Sequence, residues 1–164
     1  MITLHLADSA ATAAAGARMA AALAGGMTIT LSGDLGSGKT TLVRGCLRAL
    51  GWAGSVKSPT YTVVEHYPLS SIYLYHFDFY RFADPGEWET AGLADCFRPD
   101  AVCLIEWPER VRGLLPQPDL AITLAHPDIA DQEGRICVLD AWTEAGDRCL
   151  AAMSGKAAPP GQTA

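Results

Sequence analysis

The run Gly33-Asp34-Leu35-Gly36-Ser37-Gly38-Lys39-Thr40 constrains this chain more than any other stretch. It has the spacing G-x-x-x-x-G-K-[ST], that of a loop whose backbone amides wrap nucleotide phosphates. Glycines let the backbone approach phosphate oxygens, and a helix starting at the loop's end aims its positive dipole at them. Lys39 would neutralise the outer phosphates, and the Thr40 hydroxyl would face Mg²⁺. Such a loop works only between a strand and a helix, and both are legible. Met27 to Ser32 alternates apolar and polar residues after the pair Gly25-Gly26, as a strand does. Thr41 to Leu50 has apolar residues at 42, 43, 46, 47 and 50, a helical spacing closed by Gly51. The expected phosphate-binding set is Gly33, Leu35, Gly36, Ser37, Gly38, Lys39, Thr40 and Thr41. The charge of Lys39 has no structural partner that the sequence reveals.

A chain of 164 residues has room for one core, which predicts a single domain. Twelve basic residues against eighteen acidic ones give a net charge of −6, which excludes a surface that grips nucleic acid unaided. Any link to RNA would pass through a partner. The five cysteines form no C-x-x-C pair, so neither zinc nor a redox dithiol is indicated, and the odd count fits reduced thiols in a cytosol. The alanine-rich run from Ala10 to Ala24, interrupted by Gly16 and Arg18, is too short to span a bilayer. These features predict a soluble, cytoplasmic protein with no membrane association.

Ile2 to Leu6 reads as a strand with His5 on its surface, and Asp8-Ser9 as the cap of an alanine-rich helix ending at Gly25-Gly26. Tyr61 to Tyr67 and Ile72 to Tyr80 are β-rich runs joined by the turn Pro68 to Ser71, an antiparallel hairpin. Alternation puts Leu74, His76, Asp78 and Tyr80 on one face of the second run and Tyr73, Tyr75, Phe77 and Phe79 on the other, and the aromatic face is the expected core. A carboxylate ending an apolar strand needs a partner. For Asp78 the choices are Mg²⁺ or the attacking water, which would make it catalytic, and Arg81 or His76, which would make it structural. Asp84-Pro85-Gly86-Glu87 starts a helix through Trp88 and Leu93 to about Phe97. After the break Arg98-Pro99-Asp100, the apolar run Ala101 to Ile105 is a strand buried on both faces.

That strand ends in Glu106, where α/β sheets hold ligands. Direct Mg²⁺ ligation, contact through water and activation of the hydrolytic water are all open to it. Trp107 is placed equally well to report nucleotide state to a partner or to pack in the core. Glu109 to Leu115 has a helical flavour, and Asp119 to Ala125 with Arg135 to Trp142 forms a last strand pair. The expected architecture is α/β: a single P-loop NTPase-like domain with a mixed, mostly parallel sheet, antiparallel hairpins and flanking helices. Its expected extent is residues 1–153, with a disordered tail at 154–164.

Four ordered phrases, Gly33 to Thr41, Lys57-Ser58-Pro59-Thr60-Tyr61, His76-Phe77-Asp78-Phe79-Tyr80-Arg81 and Ile105-Glu106-Trp107-Pro108-Glu109, resemble those of the bacterial TsaE (YjeE) family. The likeness covers roughly residues 1–153. It implies an ATPase that works with TsaB and TsaD to form N6-threonylcarbamoyladenosine at position 37 of tRNAs reading codons that begin with A. The ATPase would support turnover without performing the transfer, would be weak alone and stimulated by its partners, and would meet tRNA only through them. Carried over by motif, ATP and Mg²⁺ are the cofactors, Thr40 and Glu106 the metal ligands, and Lys39, Asp78 and Glu106 the catalytic residues. Ser58, Pro59 and Thr60 would act as a switch, with Arg81 and Trp107 facing the partners. Ser9, Asp131 and Arg135 would border the nucleotide. Two other classes remain open from the residues themselves, a small phosphotransferase and an ATP-gated binding module. A kinase lid is not evident, and no N-K-x-D segment favours guanine.

Overall fold

The computed structural model describes residues 1–127 and 133–155. Its described residues form one sheet of seven strands in the order β1-β7-β6-β2-β5-β4-β3. In chain order the elements are β1 (Ile2–Leu6), α1 (Ser9–Ala20), β2 (Thr28–Ser32), α2 (Lys39–Ala49), β3 (Val64–Pro68), β4 (Tyr73–Asp78), α3 (Gly86–Thr90), β5 (Ala101–Glu106), β6 (Leu120–Ala125), β7 (Arg135–Ala141) and α4 (Glu144–Met153). The four central strands β6, β2, β5 and β4 run parallel. Antiparallel strands complete both edges, β7 and β1 beyond β6, and β3 beyond β4. This is the expected mixed sheet. Every residue of β5 is buried, as its apolar run requires.

Two cores flank the sheet. On one face α1, α2 and α4 bring Met19, Leu42, Leu47, Cys149 and Met153 together with Ile29, Leu104, Ile122 and Leu139 of the strands. On the other, Phe77, Phe79 and Ile105 pack with Phe82, Trp88 and Leu93. The aromatic face of β4 is core at Phe77 and Phe79, as expected, but the opposite face is core as well. Leu74 and His76 are fully buried on the helix side, whereas Tyr73 at the strand's start is 40% exposed. A central parallel strand is covered on both faces, and alternation cannot rank them.

Asp8 caps α1, its carboxylate accepting from the Ala11 amide at 2.7 Å. The helix ends at Ala20, short of Gly25-Gly26, because the chain has to turn for the Gly26 amide to reach the Ala101 carbonyl at 2.8 Å. Helices α1 and α2 cross in backbone contact: a Cβ on Gly16 would fall 2.0 Å from the Leu42 carbonyl oxygen, and one on Gly45 would fall 2.0 Å from that of Ala13. The helix expected from Pro85 to Phe97 is broken. Its first part, α3, stops where Gly92 takes φ +64°, and Leu93–Cys96 continues as a 3₁₀ turn. Similarly, the Glu109–Leu115 stretch is helical only in its first residues, as part of the 3₁₀ turn Pro108–Val111. Helix α4, which no sequence pattern above anticipates, is capped by Thr143 and threaded past Gly146, whose missing Cβ leaves room for the Asp119 carbonyl.

Candidate nucleotide site

The loop between β2 and α2 lies at the C-terminal ends of the parallel strands, where open α/β sheets receive ligands. Gly38 stands at the N-terminus of α2 with φ +105°, and Gly33 has φ +135°. Both are left-handed conformations that favour glycine. Gly33 is doubly required, since a Cβ there would lie 2.1 Å from the Leu124 carbonyl oxygen on β6. The loop borders an open cleft of about 440 Å³, within the range of small-molecule sites. Leu35, Gly36, Gly38, Lys39, Thr40 and Thr41 form one wall, and Ser58, Thr60, Tyr61, Asp78, Tyr80, Arg81, Glu106 and Trp107 the rest.

Lys39 is almost wholly buried. Its ammonium donates to the carbonyls of Gly33 at 2.6 Å and Asp34 at 2.9 Å, and lies 4.3 Å from the ring centroid of Trp107. Burial lowers its pKa from the usual lysine value, with Glu106 and Asp78 pulling the other way. The ammonium thus has structural partners after all, which sequence reading did not find because they are main-chain oxygens and a ring brought in by folding.

The parallel register sets Asp78 beside Glu106 at the ends of β4 and β5. Glu106 is 3% exposed, so the charged end of β5 is buried and does not face solvent. The Thr40 hydroxyl donates to its Oε1 at 2.8 Å, and His76 Nε2 lies 2.9 Å from the same oxygen. His76 Nδ1 is buried with no hydrogen-bond partner among the described residues. A hydroxyl and a buried carboxylate converging on the cleft make a hard-oxygen donor set of the kind Mg²⁺ takes, so the residues present fit that ion. Groups of three or more His, Cys, Asp or Glu side chains able to hold a metal are absent among the described residues.

Asp78 has partners other than the two structural ones considered from sequence. Its Oδ2 accepts from the hydroxyls of Ser58 and, at 3.1 Å, of Thr60, and its Oδ1 accepts from the Tyr80 amide at 2.9 Å. His76 is engaged with Glu106, and Arg81 stacks on the exposed Tyr61 with its guanidinium 4.4 Å from the ring centroid. The Ser58-Pro59-Thr60 segment is thus fastened to a carboxylate across the cleft from the loop, and Val63, which follows it, has φ +67°, rare for a β-branched residue. Trp107 is half-buried with φ +59° and packs on Tyr80, ring centroids 4.9 Å apart.

Ser37 is fully buried beneath the loop, and Arg135 lies behind it, donating to the carbonyls of Gly36 and Ser37. Ser9 opens α1 as an exposed residue outside the cleft lining, and Asp131 falls outside the described residues. Tyr61 and Tyr80 line the cleft although no motif singles them out for it, and His76, one of two structural partners open to Asp78 from the sequence, bonds Glu106 instead. The alternation that puts His76 on the Asp78 face was visible, but its reach to Glu106 depends on the β4–β5 register.

Residues 6–135 match the family model described as threonylcarbamoyl adenosine biosynthesis protein TsaE. The chain belongs to the TsaE family. A relative named tRNA threonylcarbamoyladenosine biosynthesis protein TsaE, from Haemophilus influenzae, is 46% identical over 126 residues, 77% of each chain. One of the same name from Bacillus subtilis is 42% identical over 99 residues, 60% of this chain and 61% of the relative. The crystal structure of Bacillus subtilis YdiB superposes with a TM-score of 0.75 at 28% identity, covering 94% of this chain and 95% of that one. The fold is thus that of this family's P-loop domain. Among the described residues no helix is long and apolar enough to cross a membrane.

Proposed function

We propose that this chain is a Mg²⁺-dependent ATPase that supports formation of threonylcarbamoyladenosine on tRNA in the cytoplasm, in complex with TsaB and TsaD. The observation that carries the chemical part is the gathering of Lys39, Thr40, Asp78 and Glu106, from three separate stretches, around one cleft bordered by the glycine-rich loop. The biological part rests on the TsaE relatives, whose names assign them to that modification.

In this reading the loop amides and Lys39 hold the phosphates of ATP, the lysine exchanging the carbonyls of Gly33 and Asp34 for phosphate oxygens. Thr40 and Glu106 would hold Mg²⁺, which when bound supplies positive charge to the phosphate oxygens. Release of the Thr40 hydrogen bond leaves Glu106 still held by His76. Asp78 stands opposite the loop as the group that orients the attacking water. Its Oδ2 becomes available when the Ser58 and Thr60 hydroxyls let go, so the state of that segment and the readiness of Asp78 are one variable. A partner docked at the rim of Tyr61, Arg81 and Trp107 would set that variable, so the chain alone would hydrolyse ATP slowly. With a net charge of −6 the chain meets tRNA through its partners.

The test is phosphate release from ATP by the purified chain, alone and with TsaB, TsaD and tRNA. Slow release accelerated by the partners is the expected result. Phosphate passed to an acceptor would identify a phosphotransferase, and ATP bound but never cleaved would identify a gated binding module.

A further inference from the structure

The loop that faces the cleft is gripped from behind. Arg135, the first residue of β7, sends its guanidinium to the loop's far side. There Nε donates to the Ser37 carbonyl at 3.0 Å and Nη2 to the Gly36 carbonyl at 3.1 Å, while Nη1 donates to the carbonyl of Gly134 at 2.6 Å. A trans peptide carries its C=O and N–H on opposite sides. Turning the Ser37 carbonyl back onto Arg135 therefore turns the Gly38 amide forward, toward the cleft, and that amide has no hydrogen-bond partner among the described residues. The preceding peptide is fixed at both ends, its carbonyl on Arg135 and its Ser37 amide on the Asp34 carbonyl at 3.1 Å.

We infer that Arg135 is a positioning residue for phosphate binding: by holding the Gly36 and Ser37 carbonyls on the sheet side, its guanidinium presets the Gly38 amide toward the phosphates. The inference rests on the phosphate-site reading above and gives Arg135 a role other than contact with the nucleoside. The clamp itself is well seated. Gly134, at φ +97°, presses so closely on β1 that a Cβ there would lie 2.4 Å from the Leu6 carbonyl oxygen, which fixes where Arg135 begins. A planar guanidinium suits this task, since its fork spans two carbonyls at once, whereas an ammonium is a single point of charge. The gain is preorganisation: an amide already aimed at the ligand need not be ordered when the ligand arrives.

The experiment compares the full chain with Arg135→Lys and Arg135→Ala. Each is titrated calorimetrically with MgATP and with magnesium tripolyphosphate, which has phosphates and no nucleoside, and the Gly38 amide is followed by NMR in the ligand-free protein. Both variants are expected to lose affinity for both ligands by the same factor, about tenfold, as for loss of a hydrogen bond from a charged donor, with the Gly38 resonance displaced. Arg135→Lys decides the matter even where Arg135→Ala does not fold. Lysine binding both ligands as arginine does would overturn the inference, because charge behind the loop would then suffice. Weakened MgATP binding with tripolyphosphate binding intact would overturn it too, placing the guanidinium against the nucleoside. A wild-type chain that binds neither ligand would instead remove the phosphate-site reading on which the inference stands.

Discussion

The Thr40 hydroxyl donates to Glu106 Oε1 across 2.8 Å, joining the first turn of α2 to the last residue of β5. In the proposed reading a divalent cation would enter at this bond, both oxygens turning from each other to the metal. Glu106→Gln keeps the shape and an acceptor for Thr40 but removes the charge. It should raise the Mg²⁺ concentration needed for ATP binding and turnover by about 10–100-fold. A Mg²⁺ titration of both properties checks this, and an unchanged requirement would remove Glu106 from the metal site.

Lys39→Ala should abolish most ATP affinity. It should also lower the melting temperature of the ligand-free protein, since the Gly33 and Asp34 carbonyls lose a charged donor worth about 1.5–3 kcal/mol before the relief of its own desolvation. From sequence alone the melting transition would be expected to stay put. Differential scanning calorimetry of the ligand-free variant decides between the two accounts.

Asp78→Asn retains an acceptor for the Tyr80 amide and should fold and bind ATP normally. Single-turnover hydrolysis should slow by about 10²-fold or more, the usual contribution of a positioned acid–base group. A normal rate would leave Asp78 only as the strap that holds Ser58 and Thr60.

Burial pushes the thiols of Cys46, Cys103 and Cys137 up to about 12 and that of Cys149 up to about 11. Cys96 is only partly buried, and its thiol is also raised. In the native protein near neutral pH a thiol reagent should therefore label Cys96 well before the other four, whereas in denaturant all five should react. The same shifts have a sign for stability. Each buried thiol keeps its proton in the folded state after losing it in the unfolded chain, so the stability it lends is complete below about pH 9 and is lost as pH rises toward 12. Melting temperature should accordingly decline as pH rises from about 9 toward 11.

Much of this arrangement could be read from local signals. Strand, loop and helix around Lys39, the hairpin turn near Pro68–Ser71 and the wholly apolar run before Glu106 each carry a pattern within a dozen residues, and each formed within a few residues of its expected place, β3 starting at Val64 and including Pro68. What escaped depends on distant chain. The helix expected through Leu93 to about Phe97 is interrupted at Gly92, which is left-handed, and Leu93 beyond it packs into the aromatic core. His76 and Glu106 are thirty residues apart, and their bond exists because β4 and β5 run parallel in one register. The helix α4 carries Gly146 near its start, a poor local signal outweighed by contact with Asp119.

The crossing of α1 and α2 at Gly16 and Gly45 leaves no clearance for sliding, since each glycine already touches the other helix's main chain. The phosphate loop and α2 are therefore a fixed bearing, seated on α1 on one side and on β6 and β7 on the other. Motion accompanying the proposed nucleotide cycle would be taken up across the cleft, by the stretch from Ser58 to Val63 and by Trp107. The chain is consequently asymmetric in mechanical terms: one jaw is anvil, and only the other can travel.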